Sequence, residues 1–381
     1  MSYIESTAGL FHLQIQVLAM LFFTHLSLTS DNLSIARWIV DLDRDAKKIW
    51  SKEKTNVKDF RACMDLFDII LDGYIIAFIA EYCGIDNVPA LLSSLDQIGS
   101  EKLADAIENL TSLLNDFSLV SRMRKRDSEF RDEQYENIIL FMQQGLVLRN
   151  FALAMRTGDS GMVIECLSYF TVWFQATNKV NYASETIHLT ACIKKLWSPE
   201  MKRYWMENCL INPSGKKEGW MACDFLGEYI VGQVKAMMHQ NANAANDKFL
   251  RETISPLILN FLNMRRHLMR ECDVPYSSYH STKVETRFDV EHVARKVLEG
   301  QFSKELAGRT AHNSIDLHGA GIKALSTHVG IQKYIVQTEN DRGYVRRNWE
   351  EEPIEEDGIE VDEADDGRYL FDNDLDDWLD V

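Results

Sequence analysis

The chain has 381 residues, 46% hydrophobic and 26% charged, with 19 glycines and 6 prolines. That length can bury a large core, and the sparse turn residues argue against a β-sandwich. The formal charge of −17 sits mainly in residues 350–381, where sixteen acids face the single base Arg368; the rest is near neutral, which excludes a broadly basic nucleic-acid-binding body.

In chain order, residues 9–28 form the most apolar run. His12, Gln14, Gln16 and His25 interrupt it and no Lys or Arg precedes it, so a core helix is expected and not a signal peptide or membrane span. Ser6 or Thr7 is expected to cap it. A second helix carries Leu33, Ile35, Trp38 and Ile39. Residues 41–45 read as a turn or as the acidic start of the next helix. Residues 57–83 read as one long helix, with Phe60, Cys63, Phe67, Ile70, Leu71, Tyr74 and Phe78 at helical steps and Gly84 as a left-handed stop. One or two helices fit residues 87–115.

Arg122, Arg124, Lys125 and Arg126 form a basic cluster, read as part of a solvated helix or, more sharply, as an import signal or phosphate contact. Residues 136–155 are again helical, and Gly158 to Gly161 make a break. The aromatic stripe of Tyr169, Phe170, Trp173 and Phe174 is core. Helices are expected over 182–197, 198–208, 224–240, 249–270 and 288–306. Asn212-Pro213-Ser214-Gly215 is a strong turn, and residues 308–327 look interrupted by glycine. Seven widely spaced cysteines without Cys-x-x-Cys point to reduced, mostly buried thiols and an intracellular protein, in nucleus or cytoplasm.

Phosphate-loop, dinucleotide, nucleophile-elbow and His-Glu-x-x-His patterns are all absent. Asp65, Asp68 and Asp72 share a helix face, read first as a solvated acidic stripe and alternatively as a metal-binding face. His312, His318 and His328 lack zinc spacing.

Three segments carry a resemblance: Tyr182-Ala-Ser-Glu185, Glu207-Asn-Cys-Leu-Ile-Asn-Pro-Ser-Gly215, and Asp224-Phe-Leu-Gly-Glu-Tyr-Ile230. They resemble successive motifs of a fungal family catalogued as domain of unknown function 6589, which often occurs in proteins related to transposable elements. Phe11-His12 and Gly158-Asp159 resemble its Asp-Phe-His and Gly-Asp segments, and the likeness covers roughly residues 8–270. By analogy it implies a metal-dependent transposase, in which Glu185 corresponds to the last of three metal-holding carboxylates and His12 to a histidine beside the second. The family's upstream Gly-Asp-Gln-x-Thr stretch has no counterpart, and Ala8-Gly9-Leu10 stands where its Asp precedes Phe-His. The resemblance therefore implies an N-terminally truncated, non-catalytic relative.

In the tail, Phe371, Leu375, Trp378 and Leu379 fall at i, i+4, i+7 and i+8 among acids. One helical face would present all four to a partner groove; the plainer reading is a solubilising tail.

The expected fold is all-α with minor or no strand. It comprises a large helical domain over 1–272, a smaller helical extension over 273–345 and a disordered acidic tail over 346–381. The expected function is partner binding by a non-catalytic, transposon-derived domain, with no membrane association and DNA contact implied by the resemblance alone. One alternative is the remnant of a metal-dependent nuclease that needs N-terminal acids from elsewhere. The other is a helical scaffold whose tail docks. No cofactor is expected, and a divalent metal only under the transposase reading.

Overall fold

Ser34, Asp59, Asp132, Asp159, Ser198 and Asp316 each start a helix by accepting a hydrogen bond from the backbone N–H three residues on. The helices they begin dominate the computed structural model, which describes residues 8–27, 33–49, 57–85, 100–177, 179–239 and 286–327, with single positions between 252 and 267. In order these are α1 (Leu10–His25), α2 (Ile35–Asp41), α3 (Ala46–Ile49), α4 (Phe60–Tyr82), α5 (Ser100–Asn115), α6 (Leu119–Met123), α7 (Glu133–Thr157), α8 (Ser160–Ala176), α9 (Val180–Ala191), α10 (Pro199–Asn208), α11 (Cys223–His239), α12 (Arg287–Glu299) and α13 (Leu317–Ser326). A 3-10 turn at Ser128–Phe130 and a π turn at Cys192–Leu196 interrupt the series. Among the described residues the strands are β1 (Leu210–Ile211) and β2 (Met221–Ala222), an antiparallel pair, so the fold is all-α.

The core forms where α1, α4, α7 and α8 meet. Twelve of the sixteen α1 residues are buried, which explains why its apolar residues cover most of the circumference instead of forming a stripe. Helix α7 is apolar and long enough by composition to span a bilayer, and here it is mostly covered by its neighbours. The aromatic stripe of α8 is core: Phe170, Trp173 and Phe174 are fully buried. Gly84 and Gly158 take positive φ at the ends of α4 and α7.

Helices α12 and α13, from the region expected as a smaller extension, put Val293, Ala294, Val297 and Leu317 into this same core. Helix α12 lies along α4, and α13 lies along α8. The α13 contact is so close that a Cβ on Gly321 would stand 2.0 Å from the Val172 carbonyl oxygen. The glycines that looked like interruptions over 308–327 therefore let a helix approach its neighbour. Conversely, the helix expected to reach residue 306 stops at Glu299, where Gly300 ends it and Gln301 takes φ 52°.

Buried polar groups tie the late segment to the early one. Asp132 is fully buried; besides capping α7, it accepts from the Leu306 N–H at 2.7 Å and pairs with Arg309. Glu136, also fully buried, holds Arg131 at 2.7 Å and Arg124 at 3.3 Å. Arg122 pairs with Asp116, and Arg126 with Glu305. Three of the four basic residues expected to be solvated or to contact phosphate are thus engaged within the chain. The acidic face of α4 remains partly exposed and also holds a cation: Asp68 and Asp72 clamp Arg149 at 2.9 and 2.5 Å.

His25 is completely buried. Its Nε2 donates to Gln144 Oε1 at 2.8 Å, and Ser314 Oγ lies 3.4 Å from Nδ1. Burial, against the opposing pull of the Gln144 hydrogen bond, lowers its pKa to about 3, with His312 and Arg124 acting in the same direction as burial.

Candidate functional site

The N-cap of α1 is Gly9, which has no side chain to offer, and not Ser6 or Thr7 as expected, both of which lie outside the described residues. The cap comes from the other end of the matched motifs. Asp224, in the first turn of α11, accepts from the backbone N–H of Phe11 at 3.2 Å and of His12 at 3.1 Å. These are the second and third positions of α1, the donors that an N-cap aspartate at position 9 would itself satisfy. Asp224 also accepts from His12 Nδ1 at 3.1 Å, and His12 Nε2 lies 3.6 Å from Glu228 Oε1, an ion-pair distance once the imidazole is protonated.

This arrangement requires glycine at position 9, because a Cβ there would stand 2.2 Å from Asp224 Oδ2. Burial raises the Asp224 pKa, but the hydrogen bonds from the His12 side chain, from the His12 and Phe11 backbone and the nearby imidazole outweigh it, leaving the carboxyl below its usual value. Hydrogen bonds to a charged group contribute roughly 1.5–3 kcal/mol. Phe11 closes the contact from the core side, 4.5 Å from the Phe225 ring and 5.4 Å from Phe60.

The hairpin before α11 sets Asp224 in place. Register pairs Leu210 with Ala222 and Ile211 with Met221. Asn212 builds the connecting loop: its Oδ1 accepts from the Gly215 N–H at 2.8 Å, and its Nδ2 donates to the Lys216 carbonyl at 2.8 Å. Gly215 has φ 68°. Trp220 then anchors the hairpin to α7, its backbone N–H donating to the Arg156 carbonyl at 3.3 Å and its ring lying against Gly158. Segments singled out in the sequence are thus joined in two places: Phe11-His12 to Asp224 and Glu228, and, through Trp220, the hairpin that carries Asn212 to Gly215 to Gly158. Beside them is a cavity of about 280 Å³, lined by Leu10, Trp197, Met201, Trp205, Cys209 and Cys223 among others.

Residues 1–280 match the description "Family of unknown function (DUF6589)". The chain belongs to the DUF6589 family. Neither the curated proteins nor the solved structures contain a match. The DUF6589 match ends before α12 and α13, yet both complete the core beneath it.

Within the DUF6589 region, His12 is about half exposed and joins Asp224 and Glu228. Glu185 is carried by α9. Helix α9 begins at Val180, so Glu185 lies in its second turn. It is exposed, while the adjacent Thr186 is buried and donates to the Tyr182 carbonyl at 2.7 Å. No cluster of three or more His, Cys, Asp or Glu side chains suited to a metal occurs among the described residues. Phe371, Leu375, Trp378 and Leu379, His328 and Cys272 lie outside the described residues. Asp224 opens one of the motifs, but nothing in the local sequence marks it as His12's partner.

Proposed function

We propose that this DUF6589 chain is a transposase-derived helical protein that acts by binding a partner and not by cutting DNA. The observation that carries this reading is the use made of the motif acids. Both oxygens of Asp224 are committed to the start of α1 and to His12, and Glu228 faces the same imidazole. Glu185 stands exposed on a different helix. Two-metal strand cleavage needs several carboxylates free to converge on one cleft, and Asp224 is occupied in holding the fold. The partner-binding element in this reading is the acidic tail, through Phe371, Leu375, Trp378 and Leu379.

The test incubates purified full-length protein with supercoiled plasmid and Mg²⁺ or Mn²⁺. The plasmid is expected to remain intact. Metal-dependent cleavage that Glu185→Ala abolishes would overturn the reading. In parallel, changing the four tail residues to alanine is expected to release proteins that the wild-type chain retains; unchanged retention removes the tail from the account.

A further inference from the structure

We propose that Cys209 and Cys223 form a dithiol pair that a small disulfide, such as oxidised glutathione, converts into an intramolecular disulfide. The bond would staple the end of α10 to the start of α11. The register carries this inference. One step outward from the Leu210–Ala222 pair sets Cys209 opposite Cys223, and the Cys223 N–H donates to the Cys209 carbonyl at 3.3 Å. That single backbone hydrogen bond keeps the two residues side by side just beyond the strand pair, and a disulfide bridges residues whose Cα atoms stand roughly 4.4–6.8 Å apart.

The two thiols also differ in access from the other described cysteines. Cys63, Cys83, Cys166 and Cys192 are buried, whereas Cys223 is exposed and Cys209 is half-buried. Both line the cavity beside α10, which gives a reagent an approach. Each thiol rests on a carbonyl at the end of α10: Cys209 Sγ on Met206 at 3.8 Å and Cys223 Sγ on Asn208 at 3.0 Å. Sulfhydryl hydrogen bonds are weak and present little obstacle to turning the two sulfurs together.

The chemistry balances as two exchanges. The Cys223 thiol loses its proton to solvent, and its thiolate attacks one sulfur of oxidised glutathione. That S–S bond breaks, one glutathione thiolate leaves, and a mixed disulfide remains on Cys223. Cys209 then deprotonates and attacks the Cys223 sulfur, expelling the second glutathione. Two protein thiols are oxidised and one small disulfide is reduced to two thiols. Burial raises both protein thiols, Cys209 to about 12, with Cys223 and Asp224 as the respective charged neighbours. The exchange therefore accelerates as pH rises, and the exposed Cys223 leads. Because Asp224 follows Cys223 directly, the oxidised form would hold the α1 clasp rigidly. This inference is independent of the partner-binding reading.

The experiment exposes the native full-length chain to oxidised glutathione in mildly alkaline buffer, blocks remaining thiols, digests with trypsin and maps disulfides by mass spectrometry. Lys216 and Lys217 lie between the two cysteines, so cleavage there separates them into distinct peptides. The expected result is a reductant-sensitive peptide pair joining Cys209 to Cys223, with the buried cysteines unmodified. Cys209→Ser is expected to stop at a glutathione adduct on Cys223. A persistent adduct on Cys223 in the wild-type chain, a cross-link to Cys272 instead, or a Cys209–Cys223 bond that appears only in urea would each overturn the proposal.

Discussion

Acidification should weaken this fold through His25 before it does so through ordinary carboxylates. The folded-state pKa of about 3 lies below the 6.5 of an unperturbed imidazole, so between these values the unfolded chain binds a proton that the folded chain refuses. The His25 contribution is fully present above about pH 6.5 and is lost as pH falls from there toward 3. The slope approaches about 1.4 kcal/mol per pH unit, which at pH 5.5 amounts to roughly 1.4 kcal/mol. That is a sizeable part of a typical domain's 5–15 kcal/mol. Urea unfolding of the wild-type chain and of His25→Gln at pH 7.5, 6.5 and 5.5 tests it. Glutamine keeps a polar group toward Gln144 and Ser314 but does not titrate. The stability difference between the two proteins should shift in favour of the variant by about 1.4 kcal/mol on going to pH 5.5. A difference that stays constant across the series refutes the reasoning, whatever its size, because carboxylate titration is common to both proteins.

Two further outcomes follow from the packing. Gly9→Ala should destabilise by about 1–3 kcal/mol in urea unfolding, because its Cβ would meet Asp224 Oδ2 at 2.2 Å and push the carboxylate off its donors. Asp132→Ala should cost about 3–5 kcal/mol, since it removes a fully buried charge that caps α7 and holds both the Leu306 N–H and Arg309. Hydrogen exchange should show the loss spreading through residues 300–316.

Elements governed by local rules were legible. Helix α4 with its Gly84 stop, the α8 aromatic stripe, the Gly158 break and the Asn212–Gly215 turn follow from periodicity and turn chemistry. What escaped depends on residues far apart in the chain. Arg149 lies 77 residues from Asp72, and nothing in a helical acidic stripe says that a cation will cover it. Arg126 pairs with Glu305, 179 residues further on, while staying about half exposed. The glycines of α13 weaken a helix in isolation and are offset by close packing on Val172. The candidate site escaped for the same reason. His12 stood out by resemblance, but its partner lies 212 residues away. Glu185 stood out as well, yet helix α9 turns it to solvent. Because Ser6 and Thr7 offered plausible caps in the sequence, only the structural start of α1 at Gly9 reveals the need for that long-range partner.

The central claim is that Asp224 holds the fold together while Glu185 does not. Urea unfolding of Asp224→Ala and Glu185→Ala, measured side by side at neutral pH, tests it most directly. Asp224→Ala leaves two N–H groups at the start of α1 without their acceptor, and should lose about 2–4 kcal/mol. Glu185→Ala removes an exposed side chain and should stay within about 0.5 kcal/mol of the wild type. An Asp224→Ala protein as stable as the wild type, or a Glu185→Ala protein that loses more than Asp224→Ala does, would contradict the account.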